Sequence, residues 1–187
     1  MRWLMALVLV ACGGGATDGT GSTSETTEPP PPFAFYTPAW EDGGDVPTPY
    51  TCDGEGGWPH QLNPELVWEN PPEGTAGFVM VFDDPDAGDW PHWAFFTDDA
   101  ALRGIPEGVS GTADLPAGVV ELQSGDGRTG YVPNCPGGAV HEYRWRLWAV
   151  SEPVEVPTDA RFDDLIDAAR AVSLEQQKFT GVSDAGG

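Results

Sequence analysis

The 187-residue chain is poor in the side chains that most protein chemistry uses, with three cysteines, three histidines and only eight lysines and arginines. Against those eight stand 30 acidic residues, and the formal net charge of −22 repels phosphate backbones and anionic surfaces at long range. Nucleic acid is therefore not expected as a partner. A small positive pocket remains compatible with that charge, because Arg103, Arg128, Arg144 and Arg146 lie in the middle of the chain.

The sequence has no Gly-x-Ser-x-Gly elbow, no His-x-x-x-His pair and no Cys-x-x-Cys, which removes the usual sequence support for a serine hydrolase or a zinc site. A zinc site made from His92, His141 and a carboxylate is weighed and set aside, and neither metal nor cofactor is expected. Asp84, Asp86 and Asp89 resemble alternating calcium ligands, but Pro85 disrupts the turn, and the twelfth position from Asp84 is Phe95 where the loop requires glutamate. His60, in "GWPHQLNP", is read as structural.

Long hydrophobic runs are missing too. The N-terminal "MRWLMALVLVACGGG" is too short to span a bilayer but has the layout of a secretory signal. Its Leu9-Val10-Ala11-Cys12 ending looks like a bacterial lipobox. Residues 1–11 are thus expected to be a lipoprotein signal peptide, with Cys12 lipidated and each buried methylene contributing about 0.8 kcal/mol of membrane affinity. Residues 12–32, rich in Gly, Ser, Thr and Pro, read as a tether for a domain spanning 33–187. Gly13, not Asp, follows the lipobox Cys, which favours the outer membrane of a bacterial envelope where the host has two membranes. In that oxidising compartment Cys52 and Cys135 can pair, and two reduced buried thiols are the alternative.

What the domain does contain is short apolar or alternating runs between Gly, Pro and Asp clusters: "FAFYT", "ELVWE", "GFVMVFD", "HWAFFT", "GVVELQ" and "HEYRWRLWAV". This spacing predicts a mostly β, antiparallel fold. The run Phe78 to Phe82 is apolar at every position, as in a strand covered on both faces, so a two-layer β-sandwich is expected. Alternation in "HEYRWRLWAV" puts His141, Tyr143, Trp145 and Leu147 on one face and Glu142, Arg144 and Arg146 on the other. Phe162, Leu165, Ile166, Ala169 and Val172 recur at helical spacing with Asp163 and Asp164 in the first turn, and "LEQQKFTG" reads as a second short helix before Gly181.

The reactive residue types concentrate in "DDPDAGDWPHW" (83–93) and "GRTGYVPNCPGGAVHEY" (127–143), both at strand ends, where binding groups commonly sit. Taken with "YTCDGEG", "IPEGV" and "HEYRWRLWAV", these segments resemble the phosphatidylethanolamine-binding protein family in its bacterial Raf-kinase-inhibitor-like (YbhB/YbcL) branch. Asp-Pro-Asp-Ala precedes Trp-x-His-Trp, and Cys-Pro precedes His-x-Tyr, over roughly Phe33 to Val182.

The resemblance implies a β-sandwich with Greek-key connections, one or two C-terminal helices, and a small pocket at one end for anions such as phosphate or a phospholipid head group. Carried over by motif, the pocket contacts are Asp84, His92, His141 and Tyr143, with Pro85 and the Cys135-Pro136 loop forming the rim. Two imidazoles and a phenol could donate to phosphate oxygens, while the carboxylate fixes a His tautomer or accepts from a protonated phosphate. Three positions depart from the family pattern: Gly88 and Gly137 stand for prolines and Glu142 for arginine. The first two should loosen the rim and the third should weaken the bracing of the loop, altering ligand preference. Binding is the favoured role and no catalytic residue is assigned. A protein-interaction or inhibitor module is the alternative, and a hydrolase using His92 or His141 with Asp84 is the third reading.

Overall fold

Nine strands, one α-helix and two 3-10 turns make up the computed structural model, which describes residues 30–55 and 62–186. Cys12, the signal segment, the tether up to residue 29 and His60 lie outside the described residues. The elements are β1 (Ala34–Tyr36), β2 (Gly44–Asp45), a 3-10 turn (Thr48–Tyr50), β3 (Leu66–Glu69), β4 (Gly77–Asp84), a second turn (Pro85–Ala87), β5 (Trp90–Thr97), β6 (Gly104–Ile105), β7 (Val119–Glu121), β8 (His141–Val150), α1 (Phe162–Ala171) and β9 (Ser173–Ser183).

Strands β1-β3-β6 form a small sheet and β2-β9-β8-β4-β5-β7 a large one. Pairings are antiparallel except the short parallel contact of β2 with β9. Between the sheets lies one core, in which Phe78, Met80 and Phe82 of β4 meet Trp93, Phe95, Trp145 and Leu147, with Phe35, Leu66 and Trp68 opposite. A second core forms on the outer face of the large sheet, where Val79, Val81, Ala94 and Trp148 pack under Leu165, Ile166 and Ala169 of α1. The unbroken apolar run in β4 is thus accounted for by two different coverings. The small sheet buries one face of the strand, and the helix buries the other.

The helix begins where the Arg161 backbone N–H donates to the Asp164 carboxylate at 3.3 Å. Asp163 and Asp164 occupy its first turn and Arg170 its last, the arrangement that the helix dipole favours. No second helix follows among the described residues. "LEQQKFTG" is part of β9, which pairs with β8 from Val150 back to His141. Local helix propensity in the Leu-Glu-Gln-Gln-Lys run is overruled because β8 would otherwise leave a long edge of unpaired backbone groups. Phe179 also gains a stack on Trp145, with centroids 5.2 Å apart at an interplanar angle of 5°. Gly181 lies inside this strand because the Trp40 indole rests on it, and a Cβ there would stand 2.7 Å from Trp40 Nε1.

Cys52 and Cys135 are bonded, with Cα atoms 5.4 Å apart across 83 residues of sequence. Replacing both by alanine should destabilise the fold by about 4.5 kcal/mol in the chain-entropy account. Guanidinium unfolding of the double variant against the wild type measures this, and superimposable midpoints would contradict it.

Candidate functional site

The site forms at the end of the sandwich where β4 stops and β5 and β8 start. Alternation along β4 carries Phe78, Met80 and Phe82 into the inter-sheet core and delivers Asp84 to the same face at its end. On β8 the same rule delivers His141 and Tyr143 in line with Trp145 and Leu147, as the sequence pattern predicts.

His92 arrives by a different route. Simple alternation on β5 would place it with Ala94 and Phe96, on the helix side of the sheet. The register of β4 with β5 shifts between Phe82, opposite Trp93, and Asp83, opposite Pro91, so that the β5 strand has one residue more. That bulge turns His92 toward the pocket side, where its ring stacks on Phe82 at 4.7 Å and 29°. Pro91, which cannot donate to a ladder, marks the bulge and was the available sequence signal.

The four side chains line one cavity of about 480 Å³ together with Ala87, Trp90, Val132, Pro133, Cys135 and Pro136. Pro136 is therefore in the wall, as the motif implied. Pro85 is not: it opens the 3-10 turn behind the wall and is exposed, and Ala87 takes the lining position. Trp90 lies edge-on to His92 at 4.5 Å. It is pinned there because Gly125 has no side chain, and a Cβ at 125 would meet the indole at 2.5 Å. Trp93 packs in the core and donates its indole N–H to Glu121 at 2.7 Å.

Asp84 is 3% exposed and is held at both oxygens, accepting from Ala87 N–H at 3.1 Å and from His141 Nδ1 at 2.7 Å. The Tyr143 phenol lies beside it and is fully buried. Burial first, and the Asp84 charge second, push its pKa up, so it remains a hydrogen-bond donor. His92 Nδ1 lies 2.9 Å from the Val132 carbonyl. A carbonyl can only accept, so Nδ1 carries the hydrogen. Burial lowers the His92 pKa to about 4, against a partial upward pull from the Val132 bond and Asp84. Near neutral pH this ring is uncharged and its Nε2 is an acceptor, which corrects the expectation that both imidazoles donate to the ligand.

The loop carrying Asp84 is tied to β8 at further points. Asp86 accepts from the Glu142 backbone N–H at 2.8 Å, and Asp89, although its side chain is 65% exposed, accepts from Arg144 at 2.8 Å. The brace at position 142 runs through the backbone, so glutamate in place of arginine leaves it intact. The opposite wall is held by Tyr131 Oη donating to the Tyr50 carbonyl at 2.7 Å, by Cys52 N–H donating to the Asn134 carbonyl at 3.0 Å, and by the disulfide. Among the described residues no group of three or more His, Cys, Asp or Glu side chains is placed to hold a metal ion.

A mostly β sandwich with one packed helix and an Asp-His-Tyr pocket at its end defines the class of protein. A family model described as "Phosphatidylethanolamine-binding protein" matches residues 36–184, and the chain belongs to that family. Its relatives include a UPF0098 protein of Methanothermobacter thermautotrophicus, 32% identical over 148 residues that cover 78% of this chain and 95% of the relative. A protein of Mycobacterium tuberculosis named as a candidate lipoprotein, LppC, is 29% identical over 194 residues, covering 95% of this chain and 90% of that one. Among solved structures, Escherichia coli YbcL, described as a new member of the mammalian PEBP family, superposes with a TM-score of 0.73 at 24% identity, covering 81% of this chain and 98% of YbcL, and so shares the fold. Among the described residues no helix is long and apolar enough to cross a membrane.

The His92 environment has a consequence for stability. Its folded pKa, about 4, lies below the ordinary 6.5, so the unfolded chain binds the proton more tightly. The contribution is complete above about pH 6.5 and is lost as pH falls toward about 4, on the order of a few kcal/mol. Urea midpoints of the wild type should fall across that window more steeply than those of His92→Gln. Parallel pH profiles would contradict the assignment.

Proposed function

We propose that this protein captures a small anionic or phosphorylated ligand, of phosphate or phospholipid head-group type, in its end pocket. A lipid on Cys12 would hold it to a membrane of the bacterial envelope, the outer one where there are two. The observation that carries the binding reading is the Asp84–His141 pair beside Tyr143, facing His92 across one cavity. A cavity of about 480 Å³ suits a head group or small metabolite. The family's own description supports a phosphorylated head group, and the likeness to LppC over 95% of the chain supports the anchor.

Hydrolysis fits the wall less well. Asp84 can orient His141 as a general base, but no serine or threonine lines the cavity and Cys135 is in a disulfide, so a protein nucleophile is missing among the described lining residues. A protein-docking role is not favoured either. Among the described residues the exposed large apolar side chains are three, Tyr36 on β1, Val140 before β8 and Leu174 on β9.

The charge balance makes a specific demand. Among the described residues no lysine or arginine lines the cavity, Asp84 is an acceptor, and His92 is held neutral. With no fixed cation in the described lining, an anion must be held by hydrogen bonds, and His141, paired with Asp84 at 2.7 Å, is the side chain on which binding should depend most. Calorimetry with phosphate, phosphoethanolamine and acetate should show binding of at least one, weakened by about tenfold in His141→Asn. Absence of heat with all three ligands would end the reading.

A further inference from the structure

We propose that the Cys52–Cys135 bond is a thiol–disulfide exchange site, open to a dithiol from the pocket side, and that its redox state sets the affinity of the pocket. The exchange site stands on its own geometry, and its coupling to affinity rests on the reading that the pocket takes an anion.

Cys135 lines the cavity and is exposed, while Cys52 is half-buried. An attacking thiolate needs an open approach to one sulfur, and exposed disulfides are those that exchange readily. One flank of the bond is closed by the Gly186 backbone, where a Cβ would stand 3.1 Å from Cys135 Sγ and 3.3 Å from Cys52 Sγ. Gly186 is held there by its N–H on Asp53 Oδ2 at 2.9 Å, and the neighbouring Ala185 carbonyl accepts from Gly137 and Gly138 at 3.1 and 3.3 Å. The cavity side is left for approach. A thiolate of the dithiol bonds to Cys135 Sγ as the S–S bond breaks, and Cys52 leaves as the thiolate. The second thiolate of the dithiol then attacks its own sulfur in the mixed disulfide and releases Cys135. Two electrons and two protons pass from the dithiol to the cysteines, and the dithiol becomes a disulfide.

What the bond holds is a wall of the pocket. Val132 is fixed to His92 by two bonds, at 2.9 and 3.0 Å, and Gly137 and Gly138 are fixed to Ala185. Between these anchors run Pro133, Asn134, Cys135 and Pro136, and all but Asn134 line the cavity. The prolines have no N–H to give, and neither polar atom of the fully buried Asn134 side chain has a hydrogen-bond partner. This stretch is held to residues 50–53 by the Cys52 N–H on the Asn134 carbonyl at 3.0 Å and by the disulfide. Its movement reaches the site, because the Cys135 backbone is hydrogen-bonded to the Tyr143 phenol, which also bonds Asp84, the partner of His141. Opening the disulfide removes the covalent tie, and a wall free to move must be ordered again by the ligand, which weakens binding. The coupling is reciprocal: a ligand that prefers the closed wall makes the bond harder to reduce.

The test uses the full chain, oxidised and then reduced with dithiothreitol without denaturant, and two ligands, inorganic phosphate and phosphoethanolamine. Glutathione trapping and peptide mapping by mass spectrometry should find the adduct on Cys135 and a free thiol on Cys52. After reduction, amide hydrogen exchange should rise in residues 50–53, 131–138 and 184–186 while β4 and β8 stay protected. The reduced protein should bind at least about tenfold more weakly by calorimetry. Saturating ligand should slow reduction of the oxidised protein by about the same factor. Reduction that occurs only in guanidinium, an adduct on Cys52, or loss of protection across the whole large sheet overturns the exchange site. Equal affinity in the two redox states overturns the coupling and leaves the anion reading standing. Silence of the oxidised protein with both ligands ends the anion reading and the coupling together, while a Cys135 adduct on the folded protein upholds the exchange site.

Discussion

Asp83 is 2% exposed and receives Arg144 Nε and Nη2 at 2.9 and 2.8 Å, together with an Arg146 guanidinium nitrogen. It lies opposite Arg144 in the β4–β8 ladder, one position from the pair Phe82–Trp145, whose rings stack at 4.0 Å and 6°. These neighbours fix the register by opposite means, charge on one face and aromatic area on the other. A slip of one residue would exchange the faces of β8 and put Arg144 into the core with His141 and Tyr143 under the helix. Burying a carboxylate between two guanidiniums has a desolvation cost that can cancel its attraction, so its net stabilisation is small. Its effect is on specificity: the slipped state strands a buried charge, and the native one does not. Asp84, His141 and Tyr143 meet only because this register holds.

From Phe82 the aromatic stack continues in both directions, to Trp145 and Phe179 in the core and to His92 at the pocket. The pocket floor is thus the last layer of the core, and the ring that presents Nε2 cannot tilt without disturbing buried area. Rigidity of this kind lets a few hydrogen bonds discriminate among ligands, because a mismatched group cannot be relieved by motion. It also bears on the chain's net charge of −22. Exposed charges beyond a Debye length of about 8 Å are largely screened at physiological salt, so the field inside the cavity is set by the donors and acceptors that line it.

The parts of this arrangement that depend on period were legible in the sequence. The faces of β8, the two-sided burial of β4 and the apolar stripe of α1 follow from spacing, because one covering surface per face is enough to impose it. What was not legible depended on partners distant in sequence. The helical look of 174–181 is a local preference, and it loses to an unpaired edge that exists only once β8 is in place. Likewise the aim of His92 is decided by a bulge defined by two strands, and alternation within β5 alone would turn it to the wrong side. Its motif position was readable by family likeness, but its tautomer, and with it the change from donor to acceptor, required Val132, forty residues along the chain.

Gly88 shows how a departure from the family pattern acts. It sits at φ 72, in the left-handed region, and caps the turn Pro85–Ala87 through a bond from its N–H to the Pro85 carbonyl. Proline, locked near φ −65° and lacking the N–H, can supply neither feature, so a chain with proline here must leave the turn by another path. The turn is also where Asp84 spends one of its oxygens, on Ala87 N–H. The glycine therefore acts on the position of the carboxylate that holds His141. Glu142 makes the complementary point, since its contribution to the same loop is a backbone N–H that any residue but proline provides. Of these two exchanges, the one without a side chain has the greater effect on the site.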